Sequence, residues 1–414
     1  AIYNPARIVV LAFTLVIAAG TGLLSLPISR ADSQFHFDLT AFFTAVSATC
    51  VNGLSTVDVA TYWSPFGHFV ILGLLKLGGF GVMTMTTLLA LALAHSISLR
   101  GRLSTAAESG VFEAGDVKGL VLRVLTLSAI IENVTAWFLI WRLSSEYHYS
   151  FGDAVWYGYF HAISGFNNAG FSLYSDSMMR FAHDPFIQLP LDAAIILGGL
   201  GFPVLLELVR RIFKRVKSNQ IGGVIESNIH WSLTARIVLW GTPILLAFGF
   251  IMFIALEWNN AKTLGSMDFG SKLLNAFTAS VQSRTAGFNT IDISQMHTSS
   301  WLITDILMFI GAGSAGTSGG LKITTVAILV FIVITEIRGA AAVNIGNRRI
   351  SRSIHREALT IVLLSSALVA ASVITLQVVT NFTTDEILFE TLAAFSTTGL
   401  SVGVTPKLEP DRKS

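Results

Sequence analysis

Long apolar runs alternate with shorter ones along the chain. Seven runs are long enough, at about 20 residues, to cross a hydrocarbon core of about 30 Å. They lie near 8–28, 66–94, 120–141, 186–209, 235–256, 301–335 and 358–379. Four shorter apolar stretches lie at 39–50, 153–166, 270–283 and 385–396. Because about 10–14 residues are too few to span a bilayer, the pattern predicts long membrane helices interleaved with short re-entrant helices.

Composition supports this interpretation. The chain is 52% hydrophobic and 13% charged, with a mean hydropathy of +0.66, whereas soluble domains carry about 25% charged residues. We therefore predict an all-α membrane protein. The nine histidines are scattered singly, without metal-ligand spacing, and no H-E-x-x-H or Ser/His/Asp arrangement is present, so no enzyme and no cofactor are expected.

A short motif follows each of the four shorter stretches. It reads VNGLS, NAGFS, TAGFN and TTGLS, and its glycines stand at intervals of 117, 117 and 112 residues. Ten positions before each glycine stands a phenylalanine. Self-similarity at a fixed period indicates a repeated structural unit. The sequence therefore predicts four tandem units of helix, short helix, glycine loop and helix, over 1–100, 101–217, 218–340 and 341–414. The motif glycines are Gly53, Gly170, Gly287 and Gly399.

The fourth unit differs from the others. Fifteen residues follow Gly399, which is too few for a spanning helix. We therefore expect this unit to lack its final inner helix.

Basic residues are distributed unevenly over the loops. If the N-terminus is inside, the inner loops hold fifteen Lys and Arg residues and the outer segments six. The positive-inside rule then places the basic loops in the cytoplasm and the glycine motifs towards the outside. The inner fifteen are Arg100, Arg102, Lys118, Arg123, Arg210, Arg211, Lys214, Arg215, Lys217, Arg236, Arg338, Arg348, Arg349, Arg352 and Arg356.

The four glycine loops are predicted to surround one axis. Irregular backbone at membrane depth is tolerated only where it is buried in protein or lines a wet cavity. Rings of backbone carbonyls replace the hydration shell of an alkali cation, and the C-terminal ends of the short helices favour a positive charge. Acids at the outer ends are expected to cap these helices, with a cation-concentrating mouth as the alternative. They are Asp38, Asp153, Asp268 and Asp385.

Residues 311–320, GAGSAGTSGG, interrupt the sixth long run. Each glycine costs about 1 kcal/mol relative to alanine inside a helix, so a broken helix is predicted; close helix packing by small residues is the alternative. This segment also contains the pattern G-x-G-x-x-G, but a nucleotide-binding fingerprint requires a strand before it and a helix after it. The glycine clusters at 78–81 and 198–201 are expected to serve packing and kinks.

Several charges fall within or beside apolar spans, where they are usually paired or face water. Glu132 is the expected partner of Lys76. Arg284 is expected to point behind its loop towards an acid. Lys322 has two interpretations. Its side chain either makes a contact that holds the broken segment closed or extends along the apolar surface so that its charge reaches water.

The chain resembles the Trk/Ktr/HKT superfamily of potassium transporters. RTAGFN (284–289) and STTGLSVG (396–403) are similar to the motifs of the Ktr membrane subunit, and the resemblance covers essentially the whole chain. It implies four helix–pore loop–helix units around one pore, like a potassium channel. The selectivity filter would comprise Val51, Asn52, Gly53, Asn168, Ala169, Gly170, Thr285, Ala286, Gly287, Thr397, Thr398 and Gly399.

The resemblance also implies a gate and partners. The gate would be the loop at 311–320, with Gly311, Gly313, Gly316, Gly319, Gly320 and Lys322. Other implied features are a homodimer, a cytoplasmic nucleotide-binding (ATP/ADP) regulatory ring, location in the bacterial plasma membrane, and K⁺ as transported ion, with Na⁺ as a candidate coupling ion. Alternatives are a sodium-selective relative, which in plants carries serine at the first loop position, and an intramembrane hydrolase.

Overall fold

The computed structural model describes residues 5–32, 39–96, 117–221, 231–339, 344–345, 348–349 and 351–408. These residues are mostly helical, with one short antiparallel hairpin of β1 (Asn344–Ile345) and β2 (Arg348–Arg349). The predicted all-α class is confirmed. The helices are α1 (Pro5–Leu24), α2 (Leu39–Thr49), α3 (Val59–Tyr62), α4 (Pro65–Ser96), α5 (Val117–Ser145), α6 (Phe151–Phe166), α7 (Pro185–Leu200), α8 (Phe202–Ile221), α9 (Leu233–Glu257), α10 (Phe269–Gln282), α11 (Thr298–Phe309), α12 (Ile323–Ile337), α13 (Arg352–Val379) and α14 (Thr384–Phe395).

Three described helices, α5, α9 and α13, are long and apolar enough to cross a membrane, and the bent pair α7 and α8 counts as a fourth. The sequence pattern predicted one span over 186–209, and this is wrong in detail because the pair bends by 107°. The bend lies at Gly201, which has φ +89, and a Cβ there would lie 2.2 Å from the carbonyl oxygen of Ser314. The chain is a multi-pass membrane protein.

The four short helices α2, α6, α10 and α14 begin and end within two residues of their predicted bounds. Side-chain caps define three of their starts. Asp268 is an N-cap, as predicted, but Ser150 caps α6 and Thr383 caps α14 in a capping box with Glu386. Asp153 and Asp385 therefore lie in the first turn rather than at the cap, where a carboxylate still complements the helix dipole. Asp38 lies outside the described residues.

Each short helix packs against the long helix that precedes it, in the pairs α1·α2, α5·α6, α9·α10 and α13·α14. The helix that follows a glycine loop also packs against the next short helix, in the pairs α4·α6, α7·α10 and α11·α14. The apolar core follows these contacts. One cluster joins Phe253 of α9 to Phe389 of α14, and another joins Leu139 of α5 to Phe288 after the third loop. The units are thus interlocked around the four loops.

Candidate functional site

The short helices end in a common hydrogen-bond pattern. In three of them the amide just before the motif glycine bonds to a carbonyl five residues back, and the preceding amide bonds to a carbonyl three residues back. Together these two bonds form a Schellman motif, which satisfies the last carbonyls of a helix. In the third loop the Ala286 amide bonds to the Gln282 carbonyl instead, at 3.1 Å. The five-residue bonds are Asn52 N to Ser47 O (2.8 Å), Ala169 N to Ser164 O (2.8 Å) and Thr398 N to Ala393 O (2.9 Å).

A left-handed residue stands two positions before each motif glycine. Helices that end this way usually place glycine there, but this chain has Val51 (φ 55), Asn168 (φ 55), Thr285 (φ 72) and Thr397 (φ 53). Positive φ is an outlier for a β-branched residue, and such a conformation costs about 1–3 kcal/mol. The same strained backbone at the same position in four loops indicates that the surrounding structure fixes the direction of the carbonyls.

The four motif glycines meet in a closed ring, which we call the glycine ring. A Cβ added to Gly53 would lie 2.4 Å from the Ala169 oxygen, so the second loop abuts the first. A Cβ added to each of the other three glycines would also lie close to a backbone oxygen of another loop. The distances are 2.8 Å for Gly170 and the Ala286 oxygen, 2.2 Å for Gly287 and the Thr398 oxygen and 2.3 Å for Gly399 and the Asn52 oxygen. Loop one therefore touches two, two touches three, three touches four, and four touches one. All four glycines have positive φ, between 67 and 92.

The carbonyl that precedes each glycine thus points at the glycine of a neighbouring loop rather than away from the ring. Those oxygens belong to Asn52, Ala169, Ala286 and Thr398. A ring of backbone oxygens takes the place of water around an alkali cation, and the short helices direct their partly negative C-terminal ends at the same place. The side chains at these positions differ from loop to loop, whereas the backbone contact is the same in all four.

Buried side chains hold the segments that leave the ring. The Ser47 hydroxyl donates to the Leu54 carbonyl at 2.6 Å, and Ser164, at the equivalent position of the second unit, donates to the Phe171 carbonyl at 2.8 Å. The equivalence of these bonds supports the repeat.

Glu390 holds the fourth loop in a similar way. One carboxylate oxygen accepts from the Ser401 hydroxyl (2.5 Å) and from the amides of Val402 (3.1 Å) and Val404 (3.2 Å). The other accepts from the Thr405 hydroxyl at 2.5 Å. Sequence reasoning missed Glu390; the available signal was an acid directly after the repeated phenylalanine, Phe389.

In the second unit His161 follows the repeated phenylalanine, and its Nε2 accepts from the Leu173 amide at 3.2 Å and lies 3.1 Å from the Ser172 hydroxyl. It occupies the place that Glu390 has in the fourth unit. A titratable side chain at this position therefore supports the loop in two of the four units.

Polar links connect successive units. Lys76 of α4 lies 2.5 Å from both oxygens of Glu132 on α5, as predicted, and Asn167 at the end of α6 donates to the same carboxylate at 3.3 Å. Asp192 of α7, which sequence reasoning missed, accepts from Thr278 (2.7 Å) and Gln282 (3.1 Å) of α10. Because Lys76 is paired with Glu132, the carboxylate offsets its positive charge between α4 and α5.

Arg284 lacks the acidic partner that was predicted for it. It points behind the third loop, but among the described residues no carboxylate lies within ion-pair distance. Its Nη2 donates instead to the Gly311 carbonyl at 3.4 Å, and its Nε has no partner. The prediction of an acid assumed that a buried cation needs a carboxylate; a backbone carbonyl lies there in its place.

The predicted break over residues 311–320 is confirmed, and we call this segment the glycine-rich loop. Helix α11 ends at Phe309 and α12 begins at Ile323. The loop lies against the C-terminal ends of two short helices, α14 and α6: a Cβ on Gly319 would lie 2.4 Å from the Ser396 oxygen, and the Thr317 hydroxyl donates to the Phe166 carbonyl at 3.4 Å. Gly313 N also bonds to the Gly199 oxygen at 2.8 Å.

Two further observations concern this loop. Lys322 donates from Nζ to the Ser318 carbonyl, so the side chain folds back over the loop. The G-x-G-x-x-G letters follow helix α11 rather than a strand, so the structural context of a nucleotide fingerprint is not met.

The family follows from comparison with known proteins. Residues 2–414 match the model of the cation transport protein family TrkH. The chain belongs to this family. It is accordingly an ion transporter and not an enzyme, and the resemblance drawn from the motifs is confirmed.

Named relatives of this family cover nearly all of the chain. It is 36% identical to "Ktr system potassium uptake protein B" of Bacillus subtilis over 98% of this chain and 87% of the relative. It is 33% identical to "Potassium/sodium uptake protein NtpJ" of Enterococcus hirae, again over 98% and 87%.

A solved structure shares the fold. The potassium transporter TrkH of Vibrio parahaemolyticus superposes with a TM-score of 0.66 at 16% identity, covering 98% of this chain and 84% of that one. At that identity the match supports the TrkH-family fold alone. Pore-helix repeats in an all-α membrane protein are therefore established for this chain.

Proposed function

We propose that this protein takes up potassium through a pore whose selectivity filter is the glycine ring. The observation that carries the proposal is the closed circuit of contacts from Gly53 to Ala169 and onward around all four loops. Each predicted unit supplies three consecutive residues to the filter, ending in its glycine. The twelve are Val51, Asn52, Gly53, Asn168, Ala169, Gly170, Thr285, Ala286, Gly287, Thr397, Thr398 and Gly399.

Potassium is favoured over sodium because glycine occupies all four positions, the pattern that the family resemblance associates with potassium. The names of the Bacillus and Vibrio alginolyticus relatives specify potassium uptake, and that of the Enterococcus relative specifies both potassium and sodium. We infer that K⁺ is the transported ion, and Na⁺ is the candidate coupling ion. A sodium-selective transporter remains the second candidate, and ion competition separates the two.

Gly53→Ser tests the filter assignment. Its side chain would begin 2.4 Å from the Ala169 oxygen, at a residue with φ +92. We expect discrimination between potassium and sodium to fall by about tenfold or more, which corresponds to about 1.4 kcal/mol. The measurement is proteoliposome uptake of potassium, rubidium and sodium in competition. Wild-type uptake that excess sodium abolishes would count against potassium as substrate, and unchanged ion preference in Gly53→Ser would remove Gly53 from the filter.

We propose further that the glycine-rich loop is the gate. Its position against Ser396 and Phe166, at the C-terminal ends of two short helices, supports this role. The gate residues are Gly311, Gly313, Gly316, Gly319, Gly320 and Lys322.

Lys322→Met tests the gate. Loss of the bond to the Ser318 carbonyl should loosen the loop, and we expect resting potassium uptake to rise several-fold. Lys272→Met is the matched control, because Lys272 also donates to a backbone carbonyl, that of Trp258 at 3.2 Å, but on the outer side. Equal resting uptake in Lys322→Met and wild type would leave Lys322 as a snorkelling side chain.

Regulation is proposed to come from a cytoplasmic subunit that binds nucleotide. Among the described residues no nucleotide fingerprint occurs in its required context, and the predicted inner basic residues include Arg348 and Arg349, which lie in the β1–β2 hairpin between α12 and α13. The family resemblance supports a homodimer and a bacterial plasma membrane, and the positive-inside rule supports an N-terminus in the cytoplasm.

Charge reversal tests the docking of that subunit. Arg348→Glu, Arg349→Glu and Arg352→Glu together should abolish co-purification with a cytosolic nucleotide-binding ring, because surface charge complementarity steers such association. Arg180→Glu, on the outer side, is the control. Undiminished co-purification of the triple variant would place the docking surface elsewhere.

A further inference from the structure

A small cavity lies behind the second and third filter loops. It is bounded by α7, α9 and α10 and by the start of the glycine-rich loop. Most of its wall is apolar, but three polar side chains open onto it, and all are buried: Asn168 (1% exposed), Thr242 (5%) and Arg284 (5%). The lining residues are Asn168, Ile195, Ile196, Gly199, Thr242, Leu246, Val281, Arg284 and Ala312.

Each of these three side chains has buried polar atoms without a hydrogen-bond partner among the described residues. They are Nε of Arg284, Oγ1 of Thr242 and both amide atoms of Asn168. Thr242 is informative because helical threonines here usually donate to the carbonyl four residues back, as Thr304 and Thr375 do at 2.8 Å. Buried polar groups in proteins are nearly always hydrogen-bonded. Their convergence at one place therefore points to a ligand.

The charge of the residues that line the cavity indicates which class of ligand it binds. A buried ion without a counter-charge costs several kcal/mol, and within the described part of the chain Arg284 donates one hydrogen bond, to the Gly311 carbonyl at 3.4 Å. No carboxylate of the described residues pairs with it. Three different side chains offer donors, namely the guanidinium N–H, the amide NH₂ and the hydroxyl, against one amide oxygen, that of Asn168. Donors around an unpaired cation select an anion.

We propose that this cavity binds one monatomic anion, chloride in the cell, between Arg284, Asn168 and Thr242. The space accepts about one water-sized particle, so a monatomic anion matches it better than a polyatomic anion such as phosphate or a carboxylate. The anion joins the second loop, the third loop and α9, while Arg284 holds the glycine-rich loop through Gly311. It thereby neutralises a fixed positive charge immediately behind the ring.

Bromide and thermal unfolding test the site in the full-length purified protein. We expect an anomalous bromide peak beside Arg284 Nε in crystals grown with bromide. We also expect the unfolding midpoint to rise saturably with chloride at constant ionic strength set by gluconate, since a ligand of the native state stabilises it. Thr242→Val removes one donor at constant shape and should raise the half-saturating chloride concentration roughly tenfold, about the worth of one hydrogen bond to a charged group.

Thr375→Val is the matched control and should titrate as wild type, because its hydroxyl bonds to Ala371 on a different helix. Water density without a bromide peak, or an unfolding midpoint that is the same in chloride and gluconate, would overturn the proposal. So would identical titrations of Thr242→Val and wild type. Neither readout depends on ion flux, so a failure of the potassium assignment and a failure of the anion site are distinguishable.

Discussion

Gly287→Ala is expected to abolish most potassium uptake while leaving the protein in the membrane. Its Cβ would lie 2.2 Å from the Thr398 oxygen, a backbone atom that cannot rotate away, and Gly287 has φ +80. The left-handed backbone alone costs an alanine about 1–2 kcal/mol, and displacement of the Thr398 carbonyl would add to that. We expect at least a roughly tenfold fall in the uptake rate, measured with rubidium tracer in proteoliposomes.

Gly73→Ala is the control for that substitution. Gly73 lies in α4, and a Cβ there would meet no atom within 4 Å, so an alanine should be neutral or slightly stabilising in the helix. Full uptake by Gly287→Ala would show that the third loop can accept a side chain and that the contact with Thr398 does not define the path.

Glu390→Ala is expected to have the second-largest effect. It removes the acceptor of four hydrogen bonds to residues that follow Gly399, and each buried donor left without a partner costs about 1–3 kcal/mol. The fourth loop should lose its fixed position. We expect a lower unfolding midpoint together with a loss of discrimination between potassium and sodium.

Two further variants show whether the hydrogen bonds that Glu390 accepts, or its negative charge, position the loop. Glu390→Gln keeps an oxygen in place and should be much milder than Glu390→Ala, because the amide still accepts from Val402 and Val404. Asp385→Ala removes an exposed carboxylate from the first turn of the same helix and should leave selectivity unchanged. If Glu390→Ala kept wild-type selectivity, the carboxylate would have no role in positioning the loop.

The elements were predictable from sequence because each follows from a local pattern. The length of the apolar run distinguished the short helix α10 from the long helix α9, since 14 residues are too few to span a bilayer and 25 are enough. Glycine density predicted the break between α11 and α12, because helix propensity is itself a local property. The bend at Gly201 was harder to predict, since a single glycine within an apolar run is compatible with a straight helix.

The geometry of the glycine ring was predictable only in part. The glycines marked the loops, but residue preferences argue against the left-handed conformations of Val51 and Thr397. Contacts within one unit, or between charges in obvious need of a partner, could be inferred, as for Lys76 and Glu132. The partners of Glu390 and Asp192 depend on how the units dock, and the missing acid beside Arg284 shows that charge alone does not identify a partner.

The most direct test of the filter assignment is to locate the site at which rubidium binds. Anomalous diffraction from crystals grown in rubidium should give density on the axis of the glycine ring, in contact with the carbonyl oxygens of Asn52, Ala169, Ala286 and Thr398. Excess sodium should not displace it. Absence of rubidium density inside the ring, with density at another place along the chain, would contradict the account.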